Sequence, residues 1–340
     1  MALIPQTERM EMRIAECGLR NERPDNPKSA IRNPQSPYVS VVVPVFNGAD
    51  TIGECLRSLL VQAYPRERYE VIVVDNHSTD ETASIIKPYP VRYVFEGEIQ
   101  SSYAARNRGI RMAQGELIAF TDADCVASPQ WIAQGAAAFT TEQVGGVAGA
   151  IRPCEPQTLA QRYAVAKGML SQETALQENS FRPAVYTANA FYRKTVLEQA
   201  GMFDPLVKSG GDADLAWRVQ ERLHLAIAFC PEALVYHRHR ERVRDLLRQR
   251  RNYAYGSVIN YIKHRDRMGH RTLKHVYWEL TALGRKCARF LKSLWTCAFT
   301  FGRKARWGDQ VAIEGLDILV FFAKKAGQLE AAVKNKVWYF

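Results

Sequence analysis

Two aspartates, Asp122 and Asp124, stand one residue apart at the end of an apolar segment that begins at Ile118. In an extended chain residues i and i+2 point to the same side, so both carboxylates can converge on one ion. Hard divalent cations prefer oxygen ligands and keep part of their coordination for substrate phosphates. The spacing therefore indicates a site for a divalent cation and a diphosphate, with a solvated pair of loop acids as the alternative.

The elements that would position these acids alternate between strand and helix. Apolar and amphipathic runs predict four strands with helices between them, over Val39–Phe46 (strand), Thr51–Gln62 (helix), Glu70–Asp75 (strand), Val91–Phe95 (strand), Ser101–Ala113 (helix) and Glu116–Thr121 (strand). Between the second and third strands, Ser78-Thr-Asp-Glu81 predicts a capping box that opens a further helix. Continuous apolar strands alternating with helices are typical of a mostly parallel sheet covered on both faces. Such sheets bind ligands beyond the carboxyl ends of their strands, where Asn47, Asp75 and Asp122 fall.

The second half of the sequence adds another acidic position. A predicted strand over Thr187–Arg193 and a short helix are followed by Gly210-Gly-Asp-Ala-Asp214, at the start of a further helix. Negative charge is favoured at a helix N-terminus, so Asp212 could simply cap that helix. A carboxylate at the mouth of the same cleft as a metal ion could instead act as a general base.

Composition and charge divide the chain of 340 residues into an ordinary folded part and a basic tail. Hydrophobic residues make up 47% and charged residues 24%, as in globular proteins. From Arg238 to the end there are 23 Lys and Arg against 8 Asp and Glu, whereas the preceding residues hold 23 and 27. Basic tails bind nucleic acid, anionic membranes or acidic partners.

Three regions follow from this distribution. Residues 1–37 are rich in proline and predict a flexible lead-in, residues 38–240 hold the α/β pattern, and residues 241–340 form the basic helical region. The seven cysteines form no C-x-x-C pair and no secretory signal precedes them, so we expect reduced thiols in the cytoplasm. No apolar run reaches the roughly 18 residues of a membrane-spanning helix.

The motifs, taken in order, resemble the family-2 glycosyltransferases with the GT-A fold. The resemblance covers about residues 38–240 and rests on seven segments in the right order: Val-Pro-Val-Phe-Asn, Val-Val-Asp-Asn-x-Ser-x-Asp, Ala-Ala-Arg-Asn-x-Gly, Asp-x-Asp, Ala-Asn-x-x-x-Arg, Gly-x-Phe-Asp and Gly-x-Asp-x-Asp-Leu-x-x-Arg. A nicotinamide-dependent oxidoreductase would share the doubly wound sheet, but no G-x-G-x-x-G follows the first strand.

The resemblance implies a Rossmann-like sheet and a set of donor contacts. The residues that it assigns to the nucleotide, the diphosphate and the donor sugar are Pro44, Phe46, Asn47, Asp75, Arg106, Asn107 and Asn189. Asp75 would hydrogen-bond the base, and Arg106 and Asn107 would contact the diphosphate. Each has a structural alternative: Arg106 as a solvated helix residue, and Asn189 as a hydrogen-bonding residue at a strand end.

The same resemblance assigns the metal and the base. Asp122 and Asp124 would hold Mn²⁺ or Mg²⁺, joined by His237, although the His237/His239 pair could equally lie on the surface. Asp212 matches the catalytic carboxylate. One departure is Gly211, which stands where the family often has glutamate, so acceptor contacts are expected to differ.

The function expected from these assignments is transfer of a sugar from a UDP-sugar, with inversion, to a glycan or lipid-linked acceptor in surface glycan synthesis. The alternative is a non-catalytic, membrane-attached module that binds a sugar nucleotide. In the tail, interleaved basic and aromatic residues favour peripheral attachment to the cytoplasmic face of an anionic membrane. Packing of the tail helices on the main domain is the other interpretation, and no nucleic-acid-binding motif accompanies the charge.

Overall fold

A computed structural model describes residues 36–177, 182–269, 271–299 and 304–339. The predicted lead-in of residues 1–37 lies outside these ranges except for its last two residues. The strands of the described chain are β1 (Val39–Val45), β2 (Tyr69–Asp75), β3 (Arg92–Phe95), β4 (Leu117–Thr121), β5 (Cys125–Ala127), β6 (Val144–Pro153), β7 (Asn189–Arg193) and β8 (Ala226–His237).

The helices of the described chain, apart from a short 3-10 turn at Arg66–Arg68, are α1 (Ile52–Leu60), α2 (Thr82–Ile86), α3 (Ser102–Met112), α4 (Trp131–Ala137), α5 (Leu159–Ala166), α6 (Gln172–Gln177), α7 (Lys194–Gln199), α8 (Gly211–Arg222), α9 (Val243–Met268), α10 (Leu273–Phe299) and α11 (Lys304–Lys334).

One mixed sheet forms the centre of the first compact unit. Its eight strands run in the order β3-β2-β1-β4-β7-β6-β8-β5. The pairs β1–β2, β1–β4, β2–β3 and β6–β8 are parallel, and the pairs joining β4 to β7, β6 to β7 and β5 to β8 are antiparallel. The sheet confirms the predicted α/β class with helices around it. The antiparallel pairs all involve strands of the second half of the sheet, for which the sequence predicted no pairing.

The core of this unit is built from the valine-rich strands and from aromatic residues behind them. All seven residues of β1 are buried, as the continuous apolar run predicts. Trp131 and Phe191 are fully buried with ring centroids 4.9 Å apart. A side chain at Gly135 would overlap the Phe191 ring, so α4 can approach the sheet there only with glycine.

Chain contacts divide the molecule into two compact units. The first takes the chain up to Glu155 together with Leu170–Leu206 and Asp212–Arg238, and the second takes Pro156–Met169, Val207–Gly211 and His239–Phe340. The described part of the basic region, residues 241–340, consists mainly of the helices α9, α10 and α11. Its compact unit also includes two earlier segments, which the boundary near residue 240 did not predict.

In the second unit, α9 packs against α11 and α11 against α10. One buried cluster joins α5, α9 and α11 through Tyr163, Leu246 and Leu316, and another joins α9 and the chain end through Val258 and Tyr339. Leu319 of α11, three residues after the buried Leu316, is exposed. In the described ranges no helix is both long enough and apolar enough to cross a membrane.

The capping box predicted at Ser78 does not form. Helix α2 begins at Thr82, and the side chain of its N-cap residue, Glu81, makes no capping hydrogen bond; Asp80 Oδ1 accepts from the Thr82 amide at 3.1 Å. The Ser78 hydroxyl accepts a hydrogen bond from the Asn47 amide instead, and the Ser78 amide donates to Asp75. Ser78 therefore ties the ends of β1 and β2 together rather than starting the helix.

Candidate active site

Asp122 follows β4 and forms an ion pair with Arg106 of α3. The distance between Arg106 Nη2 and Asp122 Oδ1 is 2.6 Å, and the guanidinium is buried while the carboxylate is partly exposed. The Nε atom of Arg106 is buried without a hydrogen-bond partner among the described residues. The guanidinium is thus held beside Asp122 with unused donor capacity, and the alternative of a solvated helix residue is wrong for Arg106.

Asp124 is the second acid of the pair and lies beside His237, the last residue of β8. His237 Nε2 is 3.5 Å from Asp124 Oδ1, because β5 and β8 pair at Cys125 and His237. Both His237 and His239 are buried, so neither is a surface residue. Over the described ranges, no three His, Cys, Asp or Glu side chains approach closely enough to bind an ion as a preformed set.

Asp212 stands in the first turn of α8, near the side chain of Tyr103 on α3. The Tyr103 hydroxyl donates to Asp212 Oδ1 at 3.3 Å, and the Tyr103 ring is stacked on Phe203 with centroids 5.4 Å apart. Burial raises the pKa of Asp212, although the positive charge of Arg106 acts in the opposite direction. A carboxylate with a raised pKa is a stronger proton acceptor than an ordinary aspartate.

The carboxyl ends of β1, β2 and β3 present exposed aromatic rings around a buried acid. Phe46 and Phe95 are exposed, whereas Asp75 is almost completely buried. The Tyr93 hydroxyl donates to Asp75 Oδ2 at 2.8 Å. Burial and this bond raise the pKa of Tyr93 to about 12. Exposed aromatic rings can stack on a nucleotide base, and a carboxylate fixed beside them can accept hydrogen bonds from the N–H groups of that base.

The two other residues predicted at the first strand have different surroundings. Pro44 is buried inside β1, paired with Val74. Asn47 is exposed at the strand end, and its Oδ1 accepts from the Thr79 amide at 2.8 Å. Its backbone has a positive φ of 49°, which asparagine tolerates better than most residues. Asn47 therefore shapes the loop that follows β1.

The amides of Asn107 and Asn189 are engaged inside the protein. Asn107 makes two hydrogen bonds to the backbone of Phe203, through Nδ2 at 2.8 Å and Oδ1 at 3.0 Å. Asn189 Nδ2 donates to Ala150 and Ala233, both at 2.7 Å, and its Oδ1 accepts from Trp131 Nε1 at 2.8 Å. For Asn189 this is the arrangement that the structural alternative predicts, at a side chain with no exposed surface.

Two contributors to the site have no signal in the motifs. Tyr103 and Tyr93 are ordinary helix and strand residues in sequence. Only the fold brings the Tyr103 hydroxyl to Asp212 and the Tyr93 hydroxyl to Asp75.

The side chains at the end of β4 have the chemistry of a divalent-metal and diphosphate site. Aspartate oxygens and a neutral imidazole together suit Mn²⁺, and aspartate oxygens suit Mg²⁺. The Asp124–His237 contact and the spare donor of Arg106 fit this assignment. Asp122 is engaged with Arg106, so the ligand set is only partly assembled in this arrangement.

A sheet of this composition and order, with its acids beyond β4, defines the GT-A class of nucleotide-sugar transferase folds. A solved structure, a mannosyltransferase from Pyrobaculum calidifontis in complex with GDP-mannose and Mn²⁺, shares this fold with a TM-score of 0.61. It has 21% identity, and the match covers 88% of each chain.

Residues 40–201 match the sequence model of glycosyl transferase family 2. The glycosyltransferase AglE of Haloferax volcanii is 38% identical over 183 residues, which are 52% of this chain and 59% of AglE. A pre-mycofactocin glycosyltransferase of Mycobacterium tuberculosis is 26% identical over 314 residues, covering 88% of this chain and 65% of the relative. The match thus spans less than two thirds of either relative. Fold and family confirm the class that the motifs predict.

Proposed function

We propose that the chain transfers a sugar from a nucleoside diphosphate sugar, with a UDP-sugar as the first candidate, to an acceptor hydroxyl with inversion. The observation that carries this proposal is the proximity of Arg106 to Asp122, at 2.6 Å, with both charges acting on Asp212 and Tyr103 bonded to Asp212. A base, a cation for phosphate and an acid for metal are the groups that this reaction requires.

In the proposed step, the acceptor oxygen forms a bond to the anomeric carbon while the bond from that carbon to the diphosphate oxygen breaks. The electron pair leaves with the nucleoside diphosphate, and Asp212 takes the proton of the acceptor hydroxyl. Arg106 stabilises charge that develops on the leaving group. Attack from the side opposite to the leaving group converts an α-linked donor into a β-linked product.

The metal in this proposal is Mn²⁺ or Mg²⁺, held by Asp122, Asp124 and His237. When bound, it supplies Lewis-acid stabilisation of the diphosphate leaving group. Asp75 accepts a hydrogen bond from the nucleotide base, and the exposed Phe46 ring covers that base. The binding of GDP-mannose and Mn²⁺ by the P. calidifontis protein supports a nucleotide-sugar donor with metal here, without fixing the base or the sugar.

The acceptor that we propose is a glycan or a lipid-linked sugar at the cytoplasmic face of a membrane, without a role for nucleic acid. The names of the relatives support glycan synthesis, and one of them is a poly(ribitol-phosphate) β-glucosyltransferase of Bacillus spizizenii, 44% identical over 92 residues that are 25% of this chain and 14% of that protein. The basic C-terminal region is the part proposed to reach the membrane.

A panel of UDP-sugars and GDP-mannose, assayed with Mn²⁺ and with chelator for release of the nucleoside diphosphate, tests the proposal. Asp212→Asn is expected to bind UDP as the wild type does and to lose turnover by about 10²–10⁴-fold. Asp266→Asn, the same chemical change at an exposed site of α9, is the matched control. Metal-independent UDP binding would overturn the metal assignment.

The alternative is a module that binds a sugar nucleotide without turning it over. Gly211, in place of the glutamate often found beside the base, is the residue that favours it. Tight UDP binding by calorimetry, with no release of nucleoside diphosphate from any donor, would establish this alternative.

A further inference from the structure

We propose that one exposed face of α10 binds the surface of an anionic bilayer, with its aromatic residues at headgroup depth. The proposal rests on the membrane association proposed above and names the surface responsible. Its test measures binding to lipid and does not depend on sugar transfer.

An apolar stripe runs along this face. Tyr277, Leu280, Leu291 and Trp295 lie on one side of the helix at spacings of three, eleven and four residues, and each is 62–66% exposed. Gly284 and Ala288 continue the same side between them and are exposed as well. At 1.5 Å per residue the stripe is about 27 Å long. Side chains of this size rarely remain in water together unless they meet a partner or a membrane.

A row of cations lies beside the apolar stripe. Lys274, Arg285 and Lys292 are separated by eleven and seven residues, which places them within about 20° of one another at 100° per residue. All three are exposed, and none forms an ion pair with a carboxylate in the described part of the chain. Trp278, at the edge of the row, is 72% exposed.

The opposite face of α10 packs against α11. Lys286 Nζ lies 2.6 Å from Asp317 Oδ2, and Arg289 contacts Asp317 and Glu314 at 3.2 Å. Those cations are neutralised within the unit. The cations of the row from Lys274 to Lys292 lie on the side of the helix that does not pack against α11. Their charges therefore remain available to an anionic surface.

The chemistry of this face selects a membrane over a second copy of the chain. The one acid of α10 is Glu279, which is paired with Arg271 and Lys325. If this face bound the same face of a second copy of the chain, its cations would therefore meet cations, without carboxylates to pair with them. Lipid phosphates supply the negative charge, and the boundary between headgroups and acyl chains takes the aromatic rings.

The experiment is co-sedimentation of the full chain with vesicles of phosphatidylcholine alone or with 30 mol% phosphatidylglycerol (about one lipid in three), at low and high salt. Each cation near an anionic surface contributes about fivefold to partitioning, so the triple variant K274Q/R285Q/K292Q is expected to bind roughly 100-fold more weakly. The triple variant K87Q/R108Q/R111Q removes the same charge from exposed sites of the first unit and is expected to bind nearly as the wild type does.

Two further variants test the apolar stripe. L291Q and W295Q each remove an exposed group, so folding is expected to be retained while binding to anionic vesicles weakens. Lipids brominated near the headgroup are expected to quench the fluorescence of Trp278 and Trp295 in the wild type, and the double variant W278F/W295F is expected to lose that quenching.

Equal losses in the two triple variants would overturn the proposal, because attraction would then reflect net charge alone. Absence of binding to anionic vesicles at low salt would also overturn it, as would a dimer in sedimentation velocity that L291Q dissociates. In each of these cases sugar transfer by the soluble chain would still be measurable, so the transferase proposal stands or fails separately.

Discussion

Two roles are possible for Asn189: contact with the sugar-nucleotide donor, or structural support inside the sheet. The two roles predict different effects of a substitution on stability and on donor affinity. The Nδ2 atom of Asn189 donates to the carbonyls of Ala150 on β6 and Ala233 on β8. The parallel ladder between these strands shifts register between Gly149 and Ala150. The asparagine therefore supplies hydrogen bonds where the ladder is irregular, and it holds Trp131 through Oδ1.

The change Asn189→Ala would leave one buried donor and two buried acceptors unsatisfied. Each costs about 1–3 kcal/mol, so we expect the free energy of unfolding to fall by about 3–9 kcal/mol. That is a large part of the roughly 5–15 kcal/mol by which a domain is stable. The measurement is urea denaturation followed by circular dichroism, together with the affinity of the folded protein for UDP and for the UDP-sugar donor by calorimetry.

A milder variant keeps this prediction testable if Asn189→Ala fails to fold. Trp131→Phe removes only the donor to Asn189 and leaves a small cavity, so we expect a loss of about 2–4 kcal/mol. UDP affinity is expected to be unchanged. A loss of stability below about 1 kcal/mol in Asn189→Ala, combined with a tenfold or greater loss of donor affinity, would refute the structural role.

Three other predictions concern titration and packing. Because the pKa of Asp212 is raised, we expect the turnover rate to fall on acidification at a pH above the ordinary aspartate range. Because that buried charge costs stability above its pKa, Asp212→Asn is expected to be more stable than wild type at pH 7 in chelator, with the difference gone at low pH; equal melting temperatures at pH 7 would contradict this. Burial alone would raise the pKa of Asp317, but hydrogen bonds from Lys286 and Tyr163 hold it at about 2. Its stabilisation, about 2 kcal/mol, is then present above the unfolded pKa near 4 and is lost as pH falls toward 2, and urea midpoints of Asp317→Asn that trail the wild type equally at pH 3 and pH 7 would refute this. A side chain at Gly256 would overlap Ser209 O, so Gly256→Ala is expected to cost about 1–3 kcal/mol of stability. Gly284→Ala, with nothing within 4 Å, is its neutral or slightly stabilising control, and equal urea midpoints for the two variants would refute the clash.

Local patterns in the sequence determined the class of the fold and the identity of the chemical groups. The continuous valine run of β1 can be satisfied only between two covered faces, so it predicts a buried central strand without knowledge of its neighbours. The acids at the end of β4 and the start of α8 follow from the same local reasoning, because carboxyl ends of strands and helix N-termini are ligand positions. Family resemblance then supplied their roles.

Tertiary structure alone decided which of these groups are free to act. Asn107 and Asn189 carry the same amide as any ligand-binding asparagine, and only long-range pairing reveals that both are satisfied inside the protein. Tyr103 meets Asp212 across 109 residues of sequence, a contact that no local period can encode. The face of α10 is the same case. Its apolar and basic residues are visible in the sequence, but which of them pack against α11 and which remain in solvent depends on helix packing, because an amphipathic pattern fixes the faces of a helix and not their partners.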